Sequence, residues 1–432
     1  MFKTSVIVVG ARIAGALLAI GTQVLLARLA GAEALGIYYV ALALVALLSM
    51  LSTLGLPWVL PTVVAEAEKS GQPARSIVFF NWARRDVTIA SVLFAGISAL
   101  VVAFAPFVPE ELRAPLLIGV LAVPWTTLMR INGAMANARK RFALAYLPEL
   151  IARPALVFAA AVLLTATTSS VAVWVLLTAN IVFTGALAGV QTYVLHRGND
   201  VPRESIVQIK SSDVERHAYS DHRRSALPMI TATLFIAIFA DLDVLMVGFF
   251  LVPKDLAVFT AALKITMFLA FFIQSAHQII MRDTAEAFGR SDQEALKRIV
   301  ARTNMQNILV SVAAFVGVIL FGRIILGVFG AEFDAGYFAL LVLVGSQAVR
   351  AAAGPGIQLL TLSGNTKKGS PVFITSTIVL LVSNALFIPL FGVLGAALAV
   401  FVTTTVWTGW ISILAVRHTG VASFWVPRRL QA

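Results

Sequence analysis

Apolar residues run along this chain in long blocks divided by short polar connections, and no stretch alternates apolar and polar positions with the two-residue period of a strand. A hydrocarbon core takes roughly 20 helical residues to cross. Twelve blocks reach that length, at about 5–27, 34–60, 87–108, 114–136, 142–165, 171–195, 227–251, 256–281, 303–329, 336–362, 370–391 and 393–416. The first block is followed at once by a second, so it reads as a span and not as a cleaved leader. With no alternating segments a transmembrane barrel is excluded. The pattern predicts an all-α polytopic membrane protein with twelve transmembrane helices.

Composition narrows the function classes. Of 432 residues, 59% are hydrophobic and 12% charged, with a mean hydropathy of +0.91. Soluble domains carry about 25% charged residues, so a water-soluble enzyme is excluded, and so is a disordered chain. Cysteine is absent, which removes disulfides, thiolate metal sites and cysteine nucleophiles.

The net charge of +12 gains meaning from its placement. Lys69, Arg75, Arg84 and Arg85, the run Arg139-Lys140-Arg141, Arg197 to Arg224, Arg282 to Arg302, Lys367, Lys368, Arg417, Arg428 and Arg429 all fall on one set of alternating connections. The opposite connections hold Arg28, Arg113 and Lys254, with Arg323 near a helix end. Cytoplasmic loops concentrate Lys and Arg, so both termini are expected in the cytoplasm, and no nucleic-acid partner is needed to explain the charge.

Five cations remain at membrane depth: Arg12, Arg130, Arg153, Lys264 and Arg350. The acids there are Asp241 and Asp243, with Glu149 one turn inside a helix end. A charge at that depth is costly and normally faces a partner or a wet cavity. The cations outnumber the acids, which leaves positive charge for an anionic ligand. These five are the expected substrate contacts, and Asp241 and Asp243 the candidates for ion coupling, one of them also a partner for Lys264. Arg153 precedes Pro154, and Arg350 is followed by Gly354-Pro355-Gly356. Helix breakers at depth are tolerated where the freed backbone groups find partners, and both arginines are expected to face a shared aqueous cavity.

The chain also repeats itself. Leu35-Gly36-Ile37-Tyr38-Tyr39-Val40-Ala41-Leu42 aligns without gaps on Leu256-Ala257-Val258-Phe259-Thr260-Ala261-Ala262-Leu263, and Asn137-Ala138-Arg139-Lys140 on Asn365-Thr366-Lys367-Lys368. Two six-helix bundles, 1–196 and 227–417, joined by a polar cytoplasmic linker 197–226 and followed by a tail 418–432, account for both matches. Such pseudo-symmetry is characteristic of transporters.

The segment Leu25-Leu26-Ala27-Arg28-Leu29-Ala30-Gly31-Ala32-Glu33-Ala34-Leu35-Gly36-Ile37-Tyr38 resembles the first hairpin of Wzx-like polysaccharide flippases of the multidrug/oligosaccharidyl-lipid/polysaccharide exporter superfamily. Asp243 with Leu245-Met246-Val247-Gly248, then Val258 to Lys264, is similar to the start of the family's second half. The resemblance implies a MATE-like pair of bundles and alternating access. It also implies transport of an undecaprenyl-diphosphate-linked oligosaccharide across a bacterial inner membrane, for O-antigen, lipopolysaccharide or exopolysaccharide synthesis. Implied partners are the lipid-linked anionic oligosaccharide, membrane lipids and a polysaccharide polymerase, with the chain itself a monomer and no cofactor. The site residues rest on charge and depth, because the family supplies no substrate motif to match residue by residue.

A multidrug cation antiporter of the same architecture would invert the charge balance at depth. A lipid II flippase has similar anionic cargo but usually fourteen helices. A membrane glycan polymerase would need a substantial outer loop, and the outer connections here are a few residues long, as at Val252-Pro253-Lys254-Asp255. No Gly-rich phosphate loop with Lys-Ser/Thr occurs, so no bound nucleotide drives transport. The histidines show no metal-ligand spacing, and His277 reads as packed or interfacial. Ser291-Asp292-Gln293-Glu294 reads as a capping box that opens a short amphipathic surface helix over 291–302, leading into the ninth span.

Overall fold

The computed structural model describes residues 2–106, 108–167, 173–197, 219–223, 241–290 and 292–424, excepting the side chains of residues 2–13 and of a few other helical positions. Every regular element among them is helical. The chain divides into two compact units, Met1–Leu245 and Met246–Ala432. The first contains α1 (Phe2–Ser52), α2 (Leu56–Lys69), α3 (Pro73–Phe104), α4 (Glu110–Val120), α5 (Val123–Ala138), α6 (Phe142–Leu147), a π turn (Pro148–Ala152), α7 (Arg153–Thr167) and α8 (Val173–Arg197). Its helical residues 219–223 form α9, and α10, residues 241–250, carries the division between the units. The second unit contains α11 (Pro253–Ile279), α12 (Met281–Gly289), α13 (Gln293–Gly327), α14 (Tyr337–Ala353), α15 (Gly356–Leu362) and α16 (Ser370–Thr419).

Among the described residues seven helices are long and apolar enough to cross a membrane, or up to eight if α4 and α5, bent by 41°, form one span. Two of the seven are double-length. A straight helix of 50 residues would measure roughly 75 Å, more than twice the hydrocarbon thickness. Both are broken at a glycine with positive φ, Gly31 (φ 86) in α1 and Gly392 (φ 56) in α16. These glycines fall where the hydropathy pattern separates blocks 5–27 from 34–60 and 370–391 from 393–416. Much of the seventh block, 227–251, and most of the linker 197–226 lie outside the described residues.

Two expectations are corrected. Segment 291–302 is no separate helix: α13 runs unbroken from Gln293 to Gly327. Its N-cap is Asp292, whose side chain accepts from the Ala295 N–H at 2.9 Å, so the cap sits one residue later than the Ser291 pattern implied. Asp suits an N-cap because its carboxylate satisfies an otherwise unpaired amide of the first turn.

In the first unit, Leu56, Leu60, Phe80, Ile131, Met135 and Leu195 pack α2, α3, α5 and α8 into one core. Polar side chains cross-tie the same helices. Asn132 Nδ2 donates to the Ala188 carbonyl and to Thr192 Oγ1, and Gln191 Nε2 donates to the Leu144 carbonyl. In the second unit α14 is the central helix, packed on α11, α13 and α16. Buried Ser and Thr hydroxyls mostly donate to carbonyls three or four residues back, as at Ser52, Thr127, Thr266 and Thr403. That habit lets polar side chains sit in apolar helices without an exposed donor. Apolar side chains cover the outside: Leu93, Leu100 and Phe104 on α3, and Leu309, Leu320 and Ile324 on α13, are all exposed. In water such faces would aggregate; in lipid they are at home.

Candidate functional site

The two repeated octapeptides are mostly buried in their units. Leu35, Tyr38, Tyr39 and Ala41 are buried in the first, and every residue from Leu256 to Leu263 is buried in the second. Tyr39 OH donates to Gln23 Oε1 at 2.9 Å, tying the two halves of α1 together. The motif that carried the family resemblance is thus a packing motif.

Arg153 opens α7 directly after the π turn Pro148–Ala152, its backbone N–H bonded to the Pro148 carbonyl. The helix irregularity is therefore centred on the turn before Arg153, not at Pro154. A Cβ on Gly15 would lie 1.6 Å from the Leu150 carbonyl oxygen, so glycine is what lets α1 approach the π turn. Arg153 is half-buried and its charge acts on the buried Tyr38. Among the described residues its side chain forms no ion pair or hydrogen bond, although the half-buried Glu149 stands four positions earlier. Arg130, on α5, is also half-buried. Its Nη1 donates to Met50 Sδ at 3.4 Å, and its Nε is buried with no hydrogen-bond partner.

In the second unit, Lys264 lies on α11, half-buried and without an ion pair among the described residues. It directly follows the buried repeat, at the place Ala43 holds in the first unit. Arg350 lies on α14, half-buried, with its guanidinium carbon 5.7 Å from the ring centroid of Trp407 on α16. One turn later α14 stops at Gly354 (φ 70, ψ −164). A Cβ there would lie 1.9 Å from the Ser423 carbonyl oxygen. Asn304 Nδ2 donates to that same carbonyl at 2.6 Å, and Ser412 Oγ donates to the Ala353 carbonyl at 3.1 Å. The break is thus filled by chain, not left open. His277 is packed: it is buried and its Nε2 accepts from Asn307 Nδ2 at 3.0 Å.

Asp243 is buried and Asp241 half-buried on α10. The side chain of Arg12 lies outside the described residues. The structure thus brings Arg130 and Arg153 into the first unit and Lys264 and Arg350 into the second. Sequence reasoning missed Trp407, which in a one-dimensional pattern is one more apolar residue of a long span. It also missed a polar cluster built by α9: Tyr219 OH donates to Asp86 Oδ2 at 2.8 Å, Arg223 pairs with the same oxygen at 3.4 Å and His222 with Glu66 at 3.3 Å. Phe79 and Trp82 pack edge-on against the Tyr219 ring. Burial and the bond to Asp86 push the Tyr219 phenol pKa up, so it stays a donor.

Residues 2–280 match the family of polysaccharide biosynthesis proteins. The chain belongs to that family. A curated relative from Haloferax volcanii, described as "Probable low-salt glycan biosynthesis flippase Agl15", is 26% identical over 162 residues, 37% of this chain and 34% of its own length. The chain thus spans about a third of the length of the curated relative it matches. Among solved structures, the lipid II flippase MurJ in an inward closed conformation matches with a TM-score of 0.75 at 13% identity, over 96% of this chain and 87% of MurJ. An inward-facing multidrug resistance MATE transporter of the MOP superfamily matches at 0.71 and 14% identity, over 94% of each chain. A MOP superfamily transporter from Pyrococcus furiosus, described as having a binding pocket of reverse polarity, matches at 0.63 and 13% identity, over 96% and 95% of the two chains. The family member therefore has the all-α, MATE-like fold of that superfamily, and by their descriptions the proteins it resembles are flippases and transporters, not enzymes.

Proposed function

We propose that this polysaccharide biosynthesis protein is a flippase. It translocates an undecaprenyl-diphosphate-linked oligosaccharide from the cytoplasmic to the periplasmic leaflet by alternating access, for O-antigen, lipopolysaccharide or exopolysaccharide synthesis. In this reading it is a monomer of the bacterial inner membrane with both termini in the cytoplasm, working beside a polysaccharide polymerase. Its bundles are 1–196 and 227–417, its linker 197–226 and its tail 418–432. Arg12, Arg130, Arg153, Lys264 and Arg350 contact the cargo, and Asp241 and Asp243 couple transport to an ion.

One observation carries this reading: Arg153 and Arg350 each sit half-buried beside a helix break with no acid on them among the described residues. Burying a charge without a partner costs several kcal/mol, and such a charge is retained where a ligand supplies the counter-charge. A lipid diphosphate concentrates negative charge, and guanidinium matches its oxygens through paired, charge-assisted bonds. The family membership and the glycan-flippase relative support the same cargo class.

The test is complementation of a flippase-null strain with surface glycan as the readout. Arg153→Gln and Arg350→Gln each lose one charge-assisted contact, about 1.5–3 kcal/mol, and glycan export should fall roughly ten- to a hundredfold with the protein still in the membrane. Lysine at either position should fall between arginine and glutamine. Full export by the double Gln variant would reject the reading. Reporter fusions after Arg113 and Lys254 should signal outside the cytoplasm, and one at Ser211 inside it.

A further inference from the structure

Among the described residues the second unit contains two arginines over aromatic rings, and they differ in one respect. Arg323 lies with its guanidinium carbon 5.1 Å from the ring centroid of Tyr337, and its Nη1 donates to Asp334 Oδ2 at 2.8 Å. It thus has both a ring and a carboxylate as partners. Arg350 has the first contact, with Trp407 at 5.7 Å, and among the described residues has no ion pair or hydrogen bond to supply the second.

Guanidinium geometry gives that difference a consequence. All five N–H donors of arginine lie in the plane of the group, whereas an aromatic ring attracts a cation through its face, within about 6 Å and best for tryptophan. A ring beneath the cation therefore attracts the group and offsets its charge while consuming none of its hydrogen bonds. A carboxylate in the same place would have taken the donors. Trp407 is itself held: it is 8% exposed, on α16, which packs along α14. Of the five cations placed at membrane depth, Arg350 is the one with a ring contact among the described residues.

We propose that Trp407 is a positioning residue that holds the Arg350 guanidinium edge-on to the diphosphate of the transported lipid. The inference rests on Arg350 contacting cargo as proposed above. Trp407 touches the arginine, not the ligand, and its contribution is orientation and retention of charge.

The test measures binding of farnesyl diphosphate, a short polyisoprenyl diphosphate, and of inorganic diphosphate to the purified full-length protein. Residue 407 is replaced by nonsense suppression with mono-, di- and trifluorotryptophan, which drain the ring's face of negative potential while keeping its shape. Affinity for at least one of the two ligands should fall step by step along the series, by roughly five- to thirtyfold in total. In an Arg350→Gln background the series should be flat, because no charge is left to hold. Trp407→Phe should retain part of the affinity and Trp407→Leu the least. A slope with inorganic diphosphate as well would show that the headgroup alone is read; a slope with farnesyl diphosphate only would make the lipid the recognised form. A flat series for both ligands with Arg350 present overturns the proposal, and so does an equal slope in the Arg350→Gln background. Unchanged binding by Arg350→Gln alone rejects Arg350 as a cargo contact and the role of Trp407 with it. A loss with Arg350→Gln but none along the fluorinated series rejects only Trp407.

Discussion

Arg153 of the first unit and Arg350 of its counterpart share a sequence setting, each an arginine in an apolar helix beside a helix breaker. Their surroundings solve the same problem in opposite ways. Beside Arg153 the helix keeps its hydrogen bonds by taking in an extra residue, and the resulting π turn is packed closely by the α1 backbone at Gly15. Beside Arg350 the helix stops; Ser412 caps the Ala353 carbonyl, and the Ser423 carbonyl, itself bonded by Asn304, packs against Gly354. Backbone polar groups in the hydrocarbon must be satisfied, and a break can meet that demand from within its own helix or from its neighbours. The arginines differ accordingly. Arg153 stands near a phenol with no side-chain hydrogen bond among the described residues, whereas Arg350 lies over the Trp407 ring.

The largest effect expected from this contrast is on folding. Gly354→Ala would place a side chain in a backbone region that is essentially glycine's alone, at about 1–3 kcal/mol, and drive its Cβ into the Ser423 carbonyl. Gly15→Ala keeps helical backbone geometry and suffers only the overlap, about 1–3 kcal/mol. In detergent, thermal melting of Gly354→Ala should drop further than that of Gly15→Ala. The reverse order would mean that the tail does not seal the break.

A smaller effect separates the two arginines themselves. Lysine keeps charge but loses the flat guanidinium that lies against a ring. Arg350→Lys should therefore weaken farnesyl diphosphate binding by about 1 kcal/mol more than Arg153→Lys does. Equal losses would erase the distinction between the two surroundings.

The smallest effect compares the straps. Residues 219–223 lie on α2 and α3 in the first unit much as Val421 and Ser423, both buried, lie on the break in the second. Tyr219→Phe removes one hydrogen bond to Asp86, worth about 1 kcal/mol, and should speed trypsin cleavage after Arg223. An unchanged cleavage rate would show that the aromatic contacts with Phe79 and Trp82 hold this strap without the phenol.

Much of the fold was legible in one dimension. Hydropathy blocks marked the long helices and the places where two of them break, at Gly31 and Gly392 in the structure, and the repeated octapeptides are mostly buried. Arg153 and Arg350 also stood out, because a charge inside an apolar block is conspicuous without any structure. The local helix chemistry was read less well: the irregularity near Pro154 is a π turn begun at Pro148, and the cap at Asp292 opens one continuous helix in place of a short one. Capping patterns that overlap by one residue, and prolines six residues apart, are separated only by the geometry the neighbours impose.

By itself the sequence determined that the chain is helical, that it belongs in a bilayer and which of its charges would be costly there, because these follow from the composition of each segment summed over its length. Only the tertiary structure decided which of those charges are left unmatched. Glu149 and Arg153 stand at a spacing that favours an ion pair, yet form none among the described residues; Arg350 and Trp407 are distant in the chain, yet helix packing brings them together. Helical periodicity places a residue on a face of its own helix, whereas the cost of a buried charge is set by what the facing helix brings within a few ångströms.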